Sequence, residues 1–256
     1  MKKIFKFIIE RYLKILTKVI LWRNKPMIVA VAGSSNKTFI KDQILAELKN
    51  ENGVRGNPRS FNTEIGLPLA VLFLPSGYSS IFKWVDILLA GTYISFFKRD
   101  FPKILVLEMG VKKRGDMKYL LSIIKPQMAV ISDISGNFSD NKSVIDREMD
   151  QLIRAIPKNG RVILNFDYDR VRNLAKNAKA PVVFYGTEKK ADVQILGLKK
   201  NPNGDGQIFD LKRDKKKKRF ETNLFGVHNV YALVAAKIIS EEIKKKNKSK
   251  NVKKEK

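Results

Sequence analysis

The hydrophobic pattern changes period along this chain, and each change marks an element. Met27 to Ala32 is an unbroken apolar run that reads as a strand buried on both faces. It stops at Gly33-Ser34-Ser35-Asn36-Lys37-Thr38, and beyond it Ile40, Ile44, Leu45 and Leu48 recur at helical spacing. Three more runs read as strands: Lys103–Met109, which carries Glu108 near its end; Gln127–Ser132, followed by Asp133; and Arg161–Asn165. Helical patterns separate them at residues 115–125 and 143–156. Strands alternating with helices predict an α/β domain with a mainly parallel sheet flanked by helices. Residues 51–66 read as a polar connection, and the segment after it offers Trp84, Ile87, Leu88 and Tyr93 as core.

The two ends of the chain differ from this middle. Residues 1–24 place Phe5, Ile8, Ile9, Tyr12, Leu13, Leu16, Val19 and Ile20 on one broad helical face, with most of the basic residues off it. Such a basic amphipathic helix suits docking on the domain first, with an anionic membrane surface as the alternative. Pro26 ends it. Residues 181–225 break into short strand-like pieces, a small β-rich section with hairpin tips at 201–206 and 213–219. A last helix is expected over 229–246. The expected domain bounds are therefore a helix at 1–26, one α/β domain at 27–246, and a Lys-rich tail without structure at 247–256.

Charge and composition narrow the partners. The net charge is +26. Residues 1–25, 212–219 and 241–256 carry +7, +6 and +5, together +18 of that total. The runs at 212–219 and 241–256 lack interleaved aromatics, and no nucleic-acid motif accompanies any of the three, so nucleic acid is not the favoured partner. The chain has no cysteine, which excludes a disulfide framework and thiolate chemistry and fits a reducing compartment. No run of 18 uncharged apolar residues occurs, so no membrane span is expected. The expected setting is cytoplasmic, with the N-terminal helix as a means of peripheral contact with the inner membrane surface.

The stretch at 27–48 carries the candidate chemistry. Strand, small-residue loop, lysine, hydroxyl and helix are the parts of a phosphate cradle. Backbone N–H groups at a helix N-terminus point at the anion, Lys37 adds a charge, and the Thr38 hydroxyl can reach a magnesium ion. The full G-x-x-x-x-G-K-[ST] pattern needs glycine at 31 and 36, where the chain has Val31 and Asn36. Asn tolerates a left-handed backbone better than most residues, so Asn36 is compatible with the turn. Glu108 and Asp133 also follow strands, and ligands of parallel sheets bind beyond strand C-termini.

The order of the motifs adds a resemblance. After the loop come Asn62-Thr63-Glu64-Ile65-Gly66-Leu67-Pro68, then Leu107-Glu108-Met109-Gly110 with Gly115-Asp116, and Lys125-Pro126 before a strand. Then follow Ile156-Pro157-Lys158-Asn159-Gly160, Leu164-Asn165-Phe166-Asp167, and Gly226-Val227-His228-Asn229-Val230-Tyr231. Together, over about residues 27–240, they resemble the central ATP-binding domain of the Mur ligases, most of all the type that adds D-alanyl-D-alanine in peptidoglycan synthesis. That resemblance implies ATP and Mg2+ as cofactors, and joining of a carboxylate to an amine through an acyl phosphate. It implies that Gly33, Ser34, Ser35, Asn36, Lys37 and Thr38 bind phosphates, that Thr38 and Glu108 hold the metal, and that Glu64 lies near both. It further implies that Asn229 contacts adenine, with His228 beside it in the motif.

The chain also departs from the family pattern. Asn36 replaces the glycine before the loop lysine. Phe138 stands where a metal-binding histidine is expected, with Asn137 or Asp140 as substitute oxygen ligands. Met149 stands where the family carries a carbamylated lysine. The family's usual N- and C-terminal substrate domains have no counterpart in the sequence. Two readings follow: a ligase domain completed by a separate chain that supplies the C-terminal domain, or a non-catalytic relative that serves as a partner- or membrane-surface-binding module.

Overall fold

The computed structural model describes residues 3–134 and 142–252. The chain opens with α1 (Lys3–Asn24), β1 (Met27–Ala32) and α2 (Lys37–Glu47). Next come β2 (Val54–Gly56), α3 (Gly66–Leu72), α4 (Ile81–Phe97), β3 (Ile104–Glu108) and α5 (Asp116–Leu121). They are followed by β4 (Met128–Ile131), α6 (Lys142–Ala155), β5 (Arg161–Asn165) and α7 (Asp169–Asn173). The chain continues through β6 (Val182–Gly186), β7 (Val193–Lys200), β8 (Gln207–Arg213) and β9 (Lys216–Thr222) to α8 (Val227–Val252).

All nine strands form one sheet in the order β2-β3-β1-β4-β5-β6-β7-β8-β9. Pairing is parallel from β2 through β7 and antiparallel from β7 to β9. The period-2 geometry of β1 sends Ile28, Ala30 and Ala32 into one core and Val29 and Val31 into the other. The first core is shared with α1, α3, α4, α5 and α6, and the second with α2 and α8. Burial on both faces is why β1 has no polar residue.

Several expectations change. Val54–Gly56 forms an edge strand inside the stretch read as a polar connection; three residues are too few to show a period. The β-rich section is continuous with the rest of the sheet: β6 belongs to its parallel part, and β7–β9 extend it. Its second tip is tighter than 213–219: Lys216 already pairs with Arg213. The lysines of β9 tolerate the ladder because Asp210 lies opposite Arg219 and 3.1 Å from Lys217. The last helix starts at Val227 rather than 229 and runs on to Val252, into the stretch expected to lack structure. Lysine is a good helix former, and Lys245 bonds Glu242 one turn back at 3.0 Å. The substitute ligands Asn137 and Asp140, and Phe138 itself, lie outside the described residues.

The N-terminal helix docks on the domain. Ile9, Leu13, Leu16 and Ile20 are buried, while Ile8 and Tyr12 of the expected apolar face are exposed. In α4, capped by Ser80, whose Oγ accepts from Lys83 N at 3.4 Å, Trp84 and Ile87 are buried as expected, but Tyr93 is 66% exposed. At 100° per residue Tyr93 falls on the side opposite Trp84 and Gly91. Trp84→Ala should therefore cost about 3–5 kcal/mol of stability, and Tyr93→Ala less than about 0.5 kcal/mol, by denaturant unfolding. Equal losses would contradict this orientation of α4.

Candidate functional site

The site lies where β1, β3 and β4 end. Gly33 has φ 133°, and a Cβ there would sit 2.1 Å from Ser132 Oγ, so the loop between β1 and α2 requires glycine at this point. Asn36 takes the left-handed conformation, φ 56° and ψ 7°, at the N-terminus of α2. The turn that a glycine would make is thus made by asparagine.

Asp133, at the end of the neighbouring strand, holds the loop. Its carbonyl accepts from Ser34 N at 2.9 Å, and its carboxylate accepts from Ser35 N and Ser35 Oγ, both at 2.8 Å. Lys37 curls back over the loop, with Nζ 3.1 Å from Ser34 O. Thr38 and Glu108 meet directly: Thr38 Oγ1 donates to Glu108 Oε2 at 2.7 Å. Asn62 Nδ2 donates to Glu108 Oε1 at 2.6 Å. Asn57 clamps the Glu108 backbone from both sides, accepting from its N–H at 2.8 Å and donating to its carbonyl at 3.1 Å. An open cleft of about 740 Å³ is lined by Ser34–Thr38, Asp42, Arg59, Asn62, Glu108 and Lys112 among others.

Two positively charged side chains, Arg59 and Lys112, therefore share the cleft with Lys37. Phosphate is the chemistry such a cleft fits: backbone amides at a helix start, three cations, and a hydroxyl–carboxylate pair. Ser34 Oγ is buried without a hydrogen-bond partner at the base of the loop. Thr38 and Glu108 supply hard oxygen donors of the kind that magnesium takes. Among the described residues, no three His, Cys, Asp or Glu side chains converge into a fuller metal cluster.

Glu64 lies apart from the loop cleft. It is 3.5 Å from Lys6 of α1 and lines an adjoining cavity with Lys112 and Thr63. Met149 is fully buried in the core beneath the sheet. Its neighbour Glu148, also fully buried, is committed to α5, accepting from Gly115 N at 2.9 Å and Met117 N at 2.7 Å.

A second group forms at the start of α8. A small crevice between the loop and α8 is lined by Asn36, Asp133, Tyr168, Tyr185, His228 and Tyr231. Gly226 has φ 97°, and a Cβ there would come within 2.6 Å of the His228 ring. Asn229 is turned away from the crevice: its Nδ2 donates to Phe225 O at 2.6 Å. Because α8 begins two residues earlier, Asn229 sits in its first turn and is not its N-cap residue. Asn165 Nδ2 and Tyr185 Oη, on paired strand ends, are buried without partners.

Asp167 stands in a sequence motif that implies no role for it, and the structure makes it the centre of this group. Its carboxylate accepts from Tyr231 Oη at 2.7 Å, Thr187 N at 2.7 Å, Thr187 Oγ1 at 3.0 Å and Glu188 N at 3.1 Å. Burial alone would raise its pKa, but these bonds outweigh burial and hold the group below the ordinary carboxylate value. Burial pushes the Tyr185 and Tyr231 hydroxyls up, so both stay neutral, and Tyr231 donates to Asp167. Asn62 was missed in the same way, standing in the motif next to the more conspicuous Glu64.

Residues 91–240 match the Mur ligase middle domain. The UDP-N-acetylmuramoyl-tripeptide–D-alanyl-D-alanine ligase of Bacillus subtilis is 26% identical over 213 residues, 82% of this chain and 40% of the relative. The Mycobacterium tuberculosis ligase of that name is 29% identical over 170 residues, 65% of this chain and 28% of the relative. Among solved structures, MurF from Acinetobacter baumannii superposes with a TM-score of 0.70 at 19% identity, covering 90% of this chain and 46% of that one. MurF from Thermotoga maritima in complex with ADP gives 0.70 at 19% identity, covering 92% and 49%. The chain thus spans less than half the length of these relatives.

The Asp167 group generates a pH test. A carboxyl held below its ordinary value stabilises the fold above that value, and the contribution is lost as pH falls through the lowered one. Asp167→Asn should cost about 1–2 kcal/mol at neutral pH. The deficit should shrink as pH falls below about 4, in denaturant midpoints followed down the acid limb. A deficit that stays constant with pH would assign the effect to shape rather than charge.

Proposed function

The chain belongs to the Mur ligase family through its middle domain, and on that premise we propose that its loop cleft binds ATP with Mg2+ for carboxylate–amine ligation. The family relationship is to the ATP-dependent ligases of peptidoglycan synthesis. The observation that carries the reading is the Thr38–Glu108 contact at 2.7 Å directly behind the loop lysine. A hydroxyl and a carboxylate aimed at one point are what a phosphate-bound magnesium ion requires. The shared fold with a MurF in complex with ADP supports a nucleotide as the ligand. Residues 27–246 would form the nucleotide-binding domain, with 1–26 as an appended helix.

Bound ATP and Mg2+ would supply the phosphoryl group that converts a carboxylate to an acyl phosphate, open to attack by an amine. The chain's own residues would prepare that site. The amides of residues 33–38 would orient the phosphates. Lys37 would leave Ser34 O and neutralise phosphate oxygens, and Thr38 and Glu108 would hold the metal. Glu64 would face the same region across the adjoining cavity. Asn229 would have to turn from Phe225 O to meet adenine, whereas His228 already lines the crevice. The carboxylate and amine would be held by the parts of the relatives that this chain does not span, since positioning is much of such catalysis.

A second reading, a non-catalytic relative acting on a partner or a membrane surface, is favoured by Met149. It occupies the position of an expected carbamylated lysine, and it is sealed in the core. Calorimetric titration with a non-hydrolysable ATP analogue separates nucleotide binding from a bare scaffold. Binding that depends on magnesium and weakens at least about tenfold in Lys37→Ala is expected, equivalent to about 1.4 kcal/mol. Absence of heat at millimolar analogue would overturn the nucleotide reading.

A further inference from the structure

The outer surface of α1 and α4 is apolar where it should be polar. Among the described residues, 13 of the 17 large hydrophobic side chains that stand exposed are on these two helices. The helices pack side by side on the domain, and the seam between them is marked by an exposed hydrogen bond, Tyr12 Oη to Thr92 Oγ1 at 2.7 Å. Helical spacing places Ile8 and Ile15 beside Tyr12, and Leu89 and Phe96 beside Thr92. The apolar surface therefore runs across the seam. Leu89 is 66% exposed and Trp22, further along α1, 74%. Inward, α4 is anchored by Trp84, which is 1% exposed, so it is apolar on both sides. Water on the outer side is an unfavourable neighbour for it.

We propose that this two-helix face lies in the interface of an anionic lipid bilayer. Charge selects that occupant. Exposed Arg11, Lys18, Arg23 and Lys25 sit on or beside α1, and Lys83 and Arg99 flank the two ends of α4. Residues 1–25 carry +7, and the exposed face of α4 has one acid, Asp86. A second copy would oppose one basic rim to another on chains of +26 each. Anionic headgroups complement the rim, while acyl chains take up the apolar stripe between its charges. No helix of the described residues is long and apolar enough to cross a membrane, so the helices lie along the surface. Trp22 has the amphipathic ring favoured at that depth.

This binding does not rest on the nucleotide reading. Flotation of the full chain with phosphatidylcholine vesicles, with and without phosphatidylglycerol, tests it. The wild type should float with the anionic vesicles and blue-shift the emission of Trp22, since Trp84 is already buried. Leu89→Gln with Phe96→Gln leaves every charge in place, and it should lower partitioning at least about tenfold. Far-UV circular dichroism confirms that the variant is folded; Tyr93→Gln on the same face replaces it if it is not. Equal flotation of a folded variant would assign binding to the lysine runs and overturn the proposal. So would failure of the wild type to float, or lipid-free sedimentation showing a dimer that the substitutions dissociate. Heats of nucleotide-analogue binding should be the same for wild type and variant, so a failed nucleotide reading leaves this outcome unchanged.

Discussion

A carboxylate buried at the end of a central strand must find hydrogen bonds, and the candidate site is arranged around that requirement at Glu108. Only 5% of the residue is exposed. Leaving such a group unpaired would cost several kcal/mol. Its two oxygens are taken by Thr38 from α2 and Asn62 from the chain before α3, and its backbone is gripped by Asn57. Lys41 in turn donates to the Asn57 carbonyl at 2.8 Å. Three segments distant in sequence are thereby brought to one point beside the loop. The same carboxylate that closes this network is the strongest candidate for a metal ligand, so structural and chemical demands converge on one residue.

Asp133 plays the matching part on the other side of the loop. It engages Ser34 and Ser35 through three hydrogen bonds while Lys37 rests on Ser34. A triphosphate would compete with that carboxylate for the Ser35 amide and hydroxyl. Beside the loop cleft, Glu64 lines an adjoining cavity and is approached to 3.5 Å by Lys6 of α1.

Much of this was legible in the sequence. The bounds of β1 follow from its apolar run, because a strand buried on both faces leaves no room for polar residues, and β5 shows the same run at Val162–Leu164 between polar ends. Asn36 was readable because few side chains tolerate φ 56°. Other features depend on neighbours remote in sequence. β2 is legible only against β3, and the exposure of Tyr93 only once Trp84 fixes which side of α4 faces in. The roles of Asn62 and Asp167 come from partners 46 and 64 residues away, beyond the reach of local spacing. Nor does any pattern reveal that the strand-like pieces after 181 continue the sheet.

The central claim is that Glu108 and Thr38 hold a nucleotide-bound divalent ion. Electron paramagnetic resonance with Mn2+ in place of Mg2+ tests it most directly, with an ATP analogue titrated into wild type and Glu108→Gln. Glutamine preserves the bond to Thr38 but removes the charge. The account predicts that the variant loses most of the immobilised Mn2+ signal while keeping metal-free analogue binding. An immobilised signal of equal strength in both proteins would contradict it and move the metal away from Glu108.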